Sequence, residues 1–379
     1  MTEPRDFFEY LETLDGPEKG RYDSFSRYLE AKGRRMNVPL FGQFELTPLC
    51  NLDCRMCYVH LEAGALRGRT LLTVGQWRDL MEQAIAAGMY EAALTGGECL
   101  TYPGFDDLYL YLQSQGVNVT VMSNGVLMDA DRMAFFREHP PALVQITLYG
   151  SSEDAYERVT GRRVFQRVID HIRAVREAGF PLLLTITPNR FSGEDVFDTI
   201  RLARSITPNV DISTSLFSLR DGPQREGSED LDAEFYARIL RFDRELRGLP
   251  LQEFPESDLP APGGPRSACD ERGLECGGGR SGFVIDWQGR MRICNRLEVI
   301  SEPLRIGFGE AWRIINTAAR NWPKVPECQE CPYKQVCNQC AARFLQHAEP
   351  GQQPAALCQV TRYMVSRGIL SPPICERGT

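Results

Sequence analysis

The chain has 379 residues, 42% hydrophobic and 25% charged, with a net charge of −8 and a pI near 5.3. That length matches about two to three domains with ample material for a core, and the acidic balance argues against a nucleic-acid-binding surface. The opening Met1-Thr2-Glu3-Pro4 carries no apolar signal region and no run approaches a membrane span, so the expectation is a cytoplasmic protein without membrane contact.

Residues 1–40 read as an N-terminal extension. Residues 41–247 alternate between short apolar runs and amphipathic stretches. Strands are expected at Gln43–Leu46, Glu91–Thr95, Asn118–Ser123, Val144–Tyr149, Leu182–Thr187 and Asp211–Phe217. Helices are expected at Val74–Ala87, opened by a Thr73/Gln76 capping box, and at Asp131–Glu138. Others follow at Phe165–Ala178, ended by Gly179, at Asp195–Ser205 and at Asp232–Leu246. Such alternation makes a parallel α/β sheet and leaves open whether it is doubly wound or a partial barrel. Residues 248–268 hold Pro250, Pro255, Pro260, Pro262, Pro265 and the pair Gly263-Gly264, and read as a linker. In residues 269–379 cysteines become dense while hydrophobic periodicity fades, the pattern of a domain folded around metal.

The thirteen cysteines, an odd number, favour metal ligation over disulfides. No two of the four histidines sit at ligand spacing, so metal chemistry here is sulfur chemistry. Directly after the first strand, Cys50, Cys54 and Cys57 share one short loop with a CxxxCxxC spacing. Three thiolates can hold three corners of a [4Fe–4S] cluster and leave the fourth iron open to a small molecule, whereas carrier clusters use four cysteines. A zinc knuckle, with His60 as the nearest fourth ligand, or a redox disulfide are the plainer alternatives. The second strand ends in Gly96-Gly97-Glu98, two glycines that permit close backbone approach and a carboxylate able to accept from an ammonium group. Ser123-Asn124-Gly125 ends the third strand, and Tyr149-Gly150 ends the fourth with Arg158 beyond it. An ordinary Asn-Gly turn and a surface charge are the competing readings of Asn124 and Arg158. Cys99, Trp77, Met81 and Phe135 read as core. The later cysteines run Cys269, Cys276, Cys294, then Cys328-x2-Cys331-x5-Cys337-x2-Cys340, then Cys358 and Cys375. CxxC pairs are also ordinary zinc spacing.

With Tyr58 directly after the third cysteine, the CxxxCxxC loop resembles that of the radical S-adenosylmethionine (SAM) superfamily, and the later cysteines resemble its C-terminal SPASM extension. The resemblance covers about residues 41–375. It implies an α/β fold, a partial (β/α)6 barrel followed by an iron–sulfur cluster-binding SPASM domain. It implies SAM bound at the open iron of a cluster held by Cys50, Cys54 and Cys57, where one electron splits it into methionine and a 5′-deoxyadenosyl radical. Gly96, Gly97 and Glu98 would meet the SAM amino group, Ser123 and Asn124 its ribose or carboxylate, and Arg158 its carboxylate. Two auxiliary [4Fe–4S] clusters, three clusters in all, would use Cys269, Cys276, Cys294 and Cys340, and Cys328, Cys331, Cys337 and Cys358. Cys99 and Cys375 are left over. The chain departs from the family pattern at Cys99 (usually Pro), Tyr149-Gly150 (often Asp-Gly), Thr160-Gly161 (often Arg-Gly) and the two-residue spacing of Cys337 and Cys340.

The function so implied is a maturase that oxidatively modifies a ribosomally synthesised precursor peptide, with a thioether crosslink as the first expectation. Its electron donor would be a flavodoxin or ferredoxin. The 40 residues before the first strand are too few for a winged-helix leader-recognition domain, so a separate protein, or the barrel and the N-terminal extension together, would read the peptide. Rivals are a sulfatase-maturase-like enzyme, a small-molecule dehydrogenase acting on an aminocyclitol or alcohol, and a non-catalytic electron carrier or zinc scaffold. No Asp or Glu stands out as a general base.

Overall fold

In a computed structural model of the chain, the described residues are 22–59, 61, 66, 68, 70–213, 231–262, 273–337 and 340–370. Six parallel strands form the frame: β1 (Phe41–Glu45), β2 (Glu91–Thr95), β3 (Asn118–Ser123), β4 (Leu143–Thr147), β5 (Leu182–Ile186) and β6 (Val210–Ile212). They lie side by side in the order β6-β5-β4-β3-β2-β1, each next to its neighbour in sequence. A doubly wound sheet reverses direction at a switch point. This one does not, so it is the singly wound sheet of a partial (β/α)6 barrel. β2 and β3 have the expected bounds. β6 is shorter than expected, and residues 214–217 lie outside the described residues.

Helices α1 (Tyr22–Met36), α2 (Val74–Ala86), α3 (Phe105–Ser114), α4 (Ala130–Glu138), α5 (Glu153–Thr160), α6 (Phe165–Glu177), α7 (Asp195–Ile206) and α8 (Ala233–Leu246) accompany the strands. The expected capping box is present at α2, where Thr73 accepts from the Gln76 N–H and the Gln76 side chain accepts in return. Three of these helices, α1, α3 and α5, escaped the sequence reading. α3 buries Phe105, Leu108, Tyr109 and Leu112, spaced i, i+3, i+4, i+7. α5 is capped by Ser152 and stops at Gly161, whose φ of 68° favours glycine.

The fading periodicity expected after the linker is corrected. β7 (Gly282–Ile285) pairs in parallel with the free edge of β1, from Phe41↔Gly282 to Phe44↔Ile285. β8 (Met291–Arg292) and β9 (Ile300–Ser301) add antiparallel strands, giving nine in all. Helices α9 (Pro303–Ile306) and α10 (Phe308–Arg320) follow. Phe283, Ile285, Met291, Phe308, Ala311, Trp312 and Ile315 join one core with Phe44, Trp77 and Leu80. Phe283 meets Phe44 edge-on at 5.9 Å and Phe308 at 5.1 Å. A four-residue strand buried on both faces has no alternation to read, which is why it was missed.

The start of the chain is tied to this region. After α1, Asn37 takes a left-handed φ of 57°, its carbonyl accepts from Trp312 Nε1 at 2.9 Å, and its side chain accepts from Asn316. Three further helices close the described chain, α11 (Pro326–Gln329), α12 (Ala341–Phe344) and α13 (Ala355–Ser366). The described part of the Pro/Gly-rich segment lies along α13: Phe254 donates to the Ser366 carbonyl, and Arg362 to the carbonyls of Glu256 and Leu259. No helix among the described residues is long and apolar enough to cross a membrane.

Candidate active site

In parallel α/β folds side chains that act on ligands gather at the carboxyl ends of the strands. Here the loop after β1 runs past the end of β2, and the glycines explain how. Gly97 N–H donates to the Thr47 carbonyl at 2.6 Å and Glu98 N–H to that of Leu49 at 2.9 Å. A Cβ on Gly97 would overlap the Leu49 carbonyl, and one on Gly96 would overlap that of Thr47. The two glycines therefore seat the cysteine loop against the Glu98 turn.

The same loop is tied on its other flank. Asp53 and Arg55 N–H groups donate to the carbonyls of Thr160 and Val159 at the end of α5, at 2.9 and 3.1 Å. Arg55 also lies over the Phe191 ring, 4.7 Å from its centroid.

Glu98 is buried, yet its carboxylate is well supplied with donors. One oxygen accepts from Leu100 N–H at 3.1 Å, the other from Asn124 N–H at 2.7 Å and Ser123 Oγ at 3.1 Å. Burial outweighs these bonds and raises its pKa. Cys99 Sγ is a fourth, longer donor to the carboxylate at 3.8 Å, so of about four acceptor positions the one that faces this thiol is the most weakly held. Asn124 connects the three motifs. Its backbone binds Glu98, while its side-chain amide donates to Asn51 Oδ1 at 2.6 Å and to Cys50 Sγ at 3.5 Å.

The three thiols lie close enough for each to feel the charge of the others. Burial raises Cys50 to about 12, helped by the charges of Glu98 and Cys57 and opposed by the Leu52 N–H and Asn124. Burial, then Cys57 and Cys50, pushes Cys54 well above its usual value. Tyr149, just past β4, is a member that sequence reasoning noted only as a departure. Its phenol hydrogen-bonds the Cys54 sulfur, and burial followed by the fields of Cys54, Cys50 and Cys57 raises its own pKa strongly. Its position at a strand end was the available signal. Asn51 was also missed: its Nδ2 is buried with no hydrogen-bond partner among the described residues, beside Cys50.

Cys276, Cys294 and Cys340 form a second group, each of the first two raised by burial and by the charge of Cys340. Cys269, expected as their fourth member, lies outside the described residues, as do Cys375 and His60. Cys328, Cys331, Cys337 and Cys358 line one small cavity of about 20 Å³. Thr361 Oγ1 donates to Cys337 and Gln353 Nε2 to Cys358, both at 3.6 Å. Arg158 is exposed in the last turn of α5. Cys99 is buried, its thiol 3.3 Å from the Met122 carbonyl and 3.8 Å from Glu98 Oε1.

Donor chemistry tests the fit of an iron–sulfur cluster. Three electrostatically coupled thiols with N–H donors on the Cys50 sulfur, an orphaned Asn51 donor and four cysteines around one cavity suit a multi-iron group, which takes one thiolate per corner.

A singly wound partial barrel with a three-cysteine loop after its first strand defines a class of SAM-cleaving iron–sulfur enzymes. Residues 44–203 match the Radical SAM superfamily. The chain is 24% identical over 334 residues to the AdoMet-dependent heme synthase of Methanosarcina barkeri, covering 81% of this chain and 92% of that protein. It is 27% identical over 214 residues to the sporulation killing factor maturation protein SkfB of Bacillus subtilis, covering 55% of this chain and 50% of SkfB. The alignment thus spans half of SkfB. The fold matches SAM-bound SuiB of Streptococcus suis with a TM-score of 0.64 at 15% identity, over 92% of this chain and 84% of SuiB. Residues 44–203 thus form a radical SAM domain, which implies SAM and a [4Fe–4S] cluster as cofactors, and the chain continues beyond it into the cysteine-bearing C-terminal region described above.

Proposed function

We propose that this enzyme is a radical SAM peptide maturase that oxidatively modifies a ribosomally synthesised peptide, with a thioether crosslink as the favoured product. The observation that carries the chemistry is the stitching of the Cys50/Cys54/Cys57 loop to Gly96-Gly97-Glu98 and Asn124 at one face of the barrel. The peptide class is supported by SkfB, named for maturation of a killing factor, and by SuiB, solved with a precursor peptide, SuiA.

When bound, the cluster and SAM supply a 5′-deoxyadenosyl radical able to take hydrogen from an unactivated C–H bond. The residues of the chain hold and orient. Cys50, Cys54 and Cys57 would ligate the cluster as thiolates, giving up protons that burial otherwise retains. Leu52 N–H and Asn124 donate to the Cys50 sulfur, and Tyr149 to that of Cys54, which tunes how readily the site accepts an electron. Glu98, fixed by Leu100, Ser123 and Asn124, would accept the SAM ammonium. Cys276, Cys294 and Cys340 with Cys269, and Cys328, Cys331, Cys337 and Cys358, would hold two auxiliary clusters able to accept the electron an oxidised substrate gives up.

A small-molecule substrate is the second reading, favoured by the heme synthase that aligns over 92% of its length. The test is anaerobic reconstitution, reduction with SAM, and assay for 5′-deoxyadenosine, with and without short cysteine-containing peptides encoded beside the gene. About twelve irons per chain, SAM cleavage and a peptide lighter by two hydrogens support the maturase. SAM cleavage without any peptide change, together with turnover of a porphyrin or alcohol, would replace it with the second reading.

A further inference from the structure

Several ties hold the cysteine loop from within the barrel: the Glu98 turn holds Thr47 and Leu49, the end of α5 holds Asp53 and Arg55, and Asn124 holds Asn51 and Cys50. Another reaches across 237 residues of sequence. Asn295 Nδ2 donates to the Tyr58 hydroxyl at 3.0 Å, and the Arg296 guanidinium lies over the Tyr58 ring, 5.0 Å from its centroid. Tyr58 directly follows Cys57, and Asn295 and Arg296 directly follow Cys294. Cys294 in turn faces Cys276 and Cys340.

We propose that Tyr58 is a positioning residue that couples two cysteine sites: Asn295 and Arg296 clasp its phenol, so that filling the Cys276/Cys294/Cys340 site fixes the loop that carries Cys57. Tyr58 lies between two backbone ties of the loop, Cys57 N–H to the Cys54 carbonyl and Leu61 N–H to the Pro48 carbonyl, both at 3.0 Å, and the clasp adds a hold on its side chain from the C-terminal region. The clasp is chemically specific. An amide donor on the phenol oxygen and a cation over the ring face hold both the distance and the tilt of the side chain, and a cation–π contact adds to the hydrogen bond. A rigid loop presents preorganised ligands, and a loose one loses affinity for whatever it must hold. The inference rests on the cluster reading above.

The test uses the reconstituted holoenzyme and Tyr58→Phe, Asn295→Ala and the double variant. Three readouts are taken: iron per chain, backbone hydrogen exchange of residues 51–59, and SAM affinity followed by the change SAM causes in the electron paramagnetic resonance of the reduced cluster. Tyr58→Phe removes one hydrogen bond, so iron content is expected to stay at wild-type level while loop exchange and the SAM dissociation constant each rise about five- to tenfold. Asn295→Ala should match it, and the double variant should be no worse than either, because both remove the same bond. Wild-type exchange and SAM affinity in both single variants, or additive effects in the double variant, would overturn the coupling. A wild-type protein that takes up no iron would instead sink the cluster reading itself, so the two failures are distinguishable.

Discussion

The closest approach in the site is the backbone of the cysteine loop to Gly97, and Gly97→Ala probes it directly. The added methyl would overlap the Leu49 carbonyl oxygen and lie 2.7 Å from that of Pro48, where ordinary contact begins near 3.4 Å. These neighbours are backbone, so the loop must move as a unit. Moving it strains or breaks Gly97 N–H to Thr47 O and Glu98 N–H to Leu49 O. Overpacking of this kind costs about 1–3 kcal/mol and each lost bond about 1 kcal/mol more, which gives about 2–5 kcal/mol for the seated loop. The ties to Val159 and Thr160 do not involve Gly97, so the barrel should stay folded while the loop is displaced. The expected outcome is a thermal melt shifted less than the loss of function: SAM cleavage falls more than tenfold and iron drops by about one cluster of four atoms. Gly75→Ala is the control, since its new methyl meets only Thr73 Oγ1 at 3.9 Å, and it should be neutral or stabilising by up to about 1 kcal/mol. Gly97→Ala with wild-type iron and cleavage would refute the claim that this glycine seats the loop.

Three further outcomes are expected. Cys50 and Cys328 are both raised from 9.0 to about 12 in the cluster-free protein. The folded chain keeps protons that the unfolded chain releases, so this part of the stability is present below pH 9 and is lost as pH rises from 9 toward 12. Denaturant melts of cluster-free protein at pH 8 and pH 11 should show the loss shrinking in Cys50→Ser; an unchanged loss in that variant would contradict the assignment. Iron binding must release the same protons, so iron uptake should strengthen with pH over the same range. Tyr149→Phe removes a donor from the Cys54 sulfur, and anaerobic potentiometry should find the reduction potential of the cluster on that loop more negative. An unmoved potential would show that the phenol does not tune the site.

Much of the architecture was legible because its signals are local. The Thr73/Gln76 cap, the Gly179 stop and the bounds of β2 and β3 depend on residues within a few positions of one another. α3 and α5 carried equally local patterns that went unread. β7 could not be read in that way, because its four residues owe their place to pairing with β1 more than 200 positions earlier. Asn51 and Tyr149 stayed outside the expected site for a related reason: the value of each depends on what stands across the barrel mouth from it.

Sequence alone determined the donor set: three thiols within eight residues, two glycines before Glu98 and a grammar of later cysteines, since covalent spacing limits how far such groups can separate. Tertiary structure decided the rest. Strand order, not alternation, made the sheet singly wound. Packing at the barrel mouth brought Asn124 to Cys50, Tyr149 to Cys54 and Asn295 to Tyr58. These contacts join distant segments, and their geometry follows from which strands pair and which faces bury, quantities that no single stretch of chain contains.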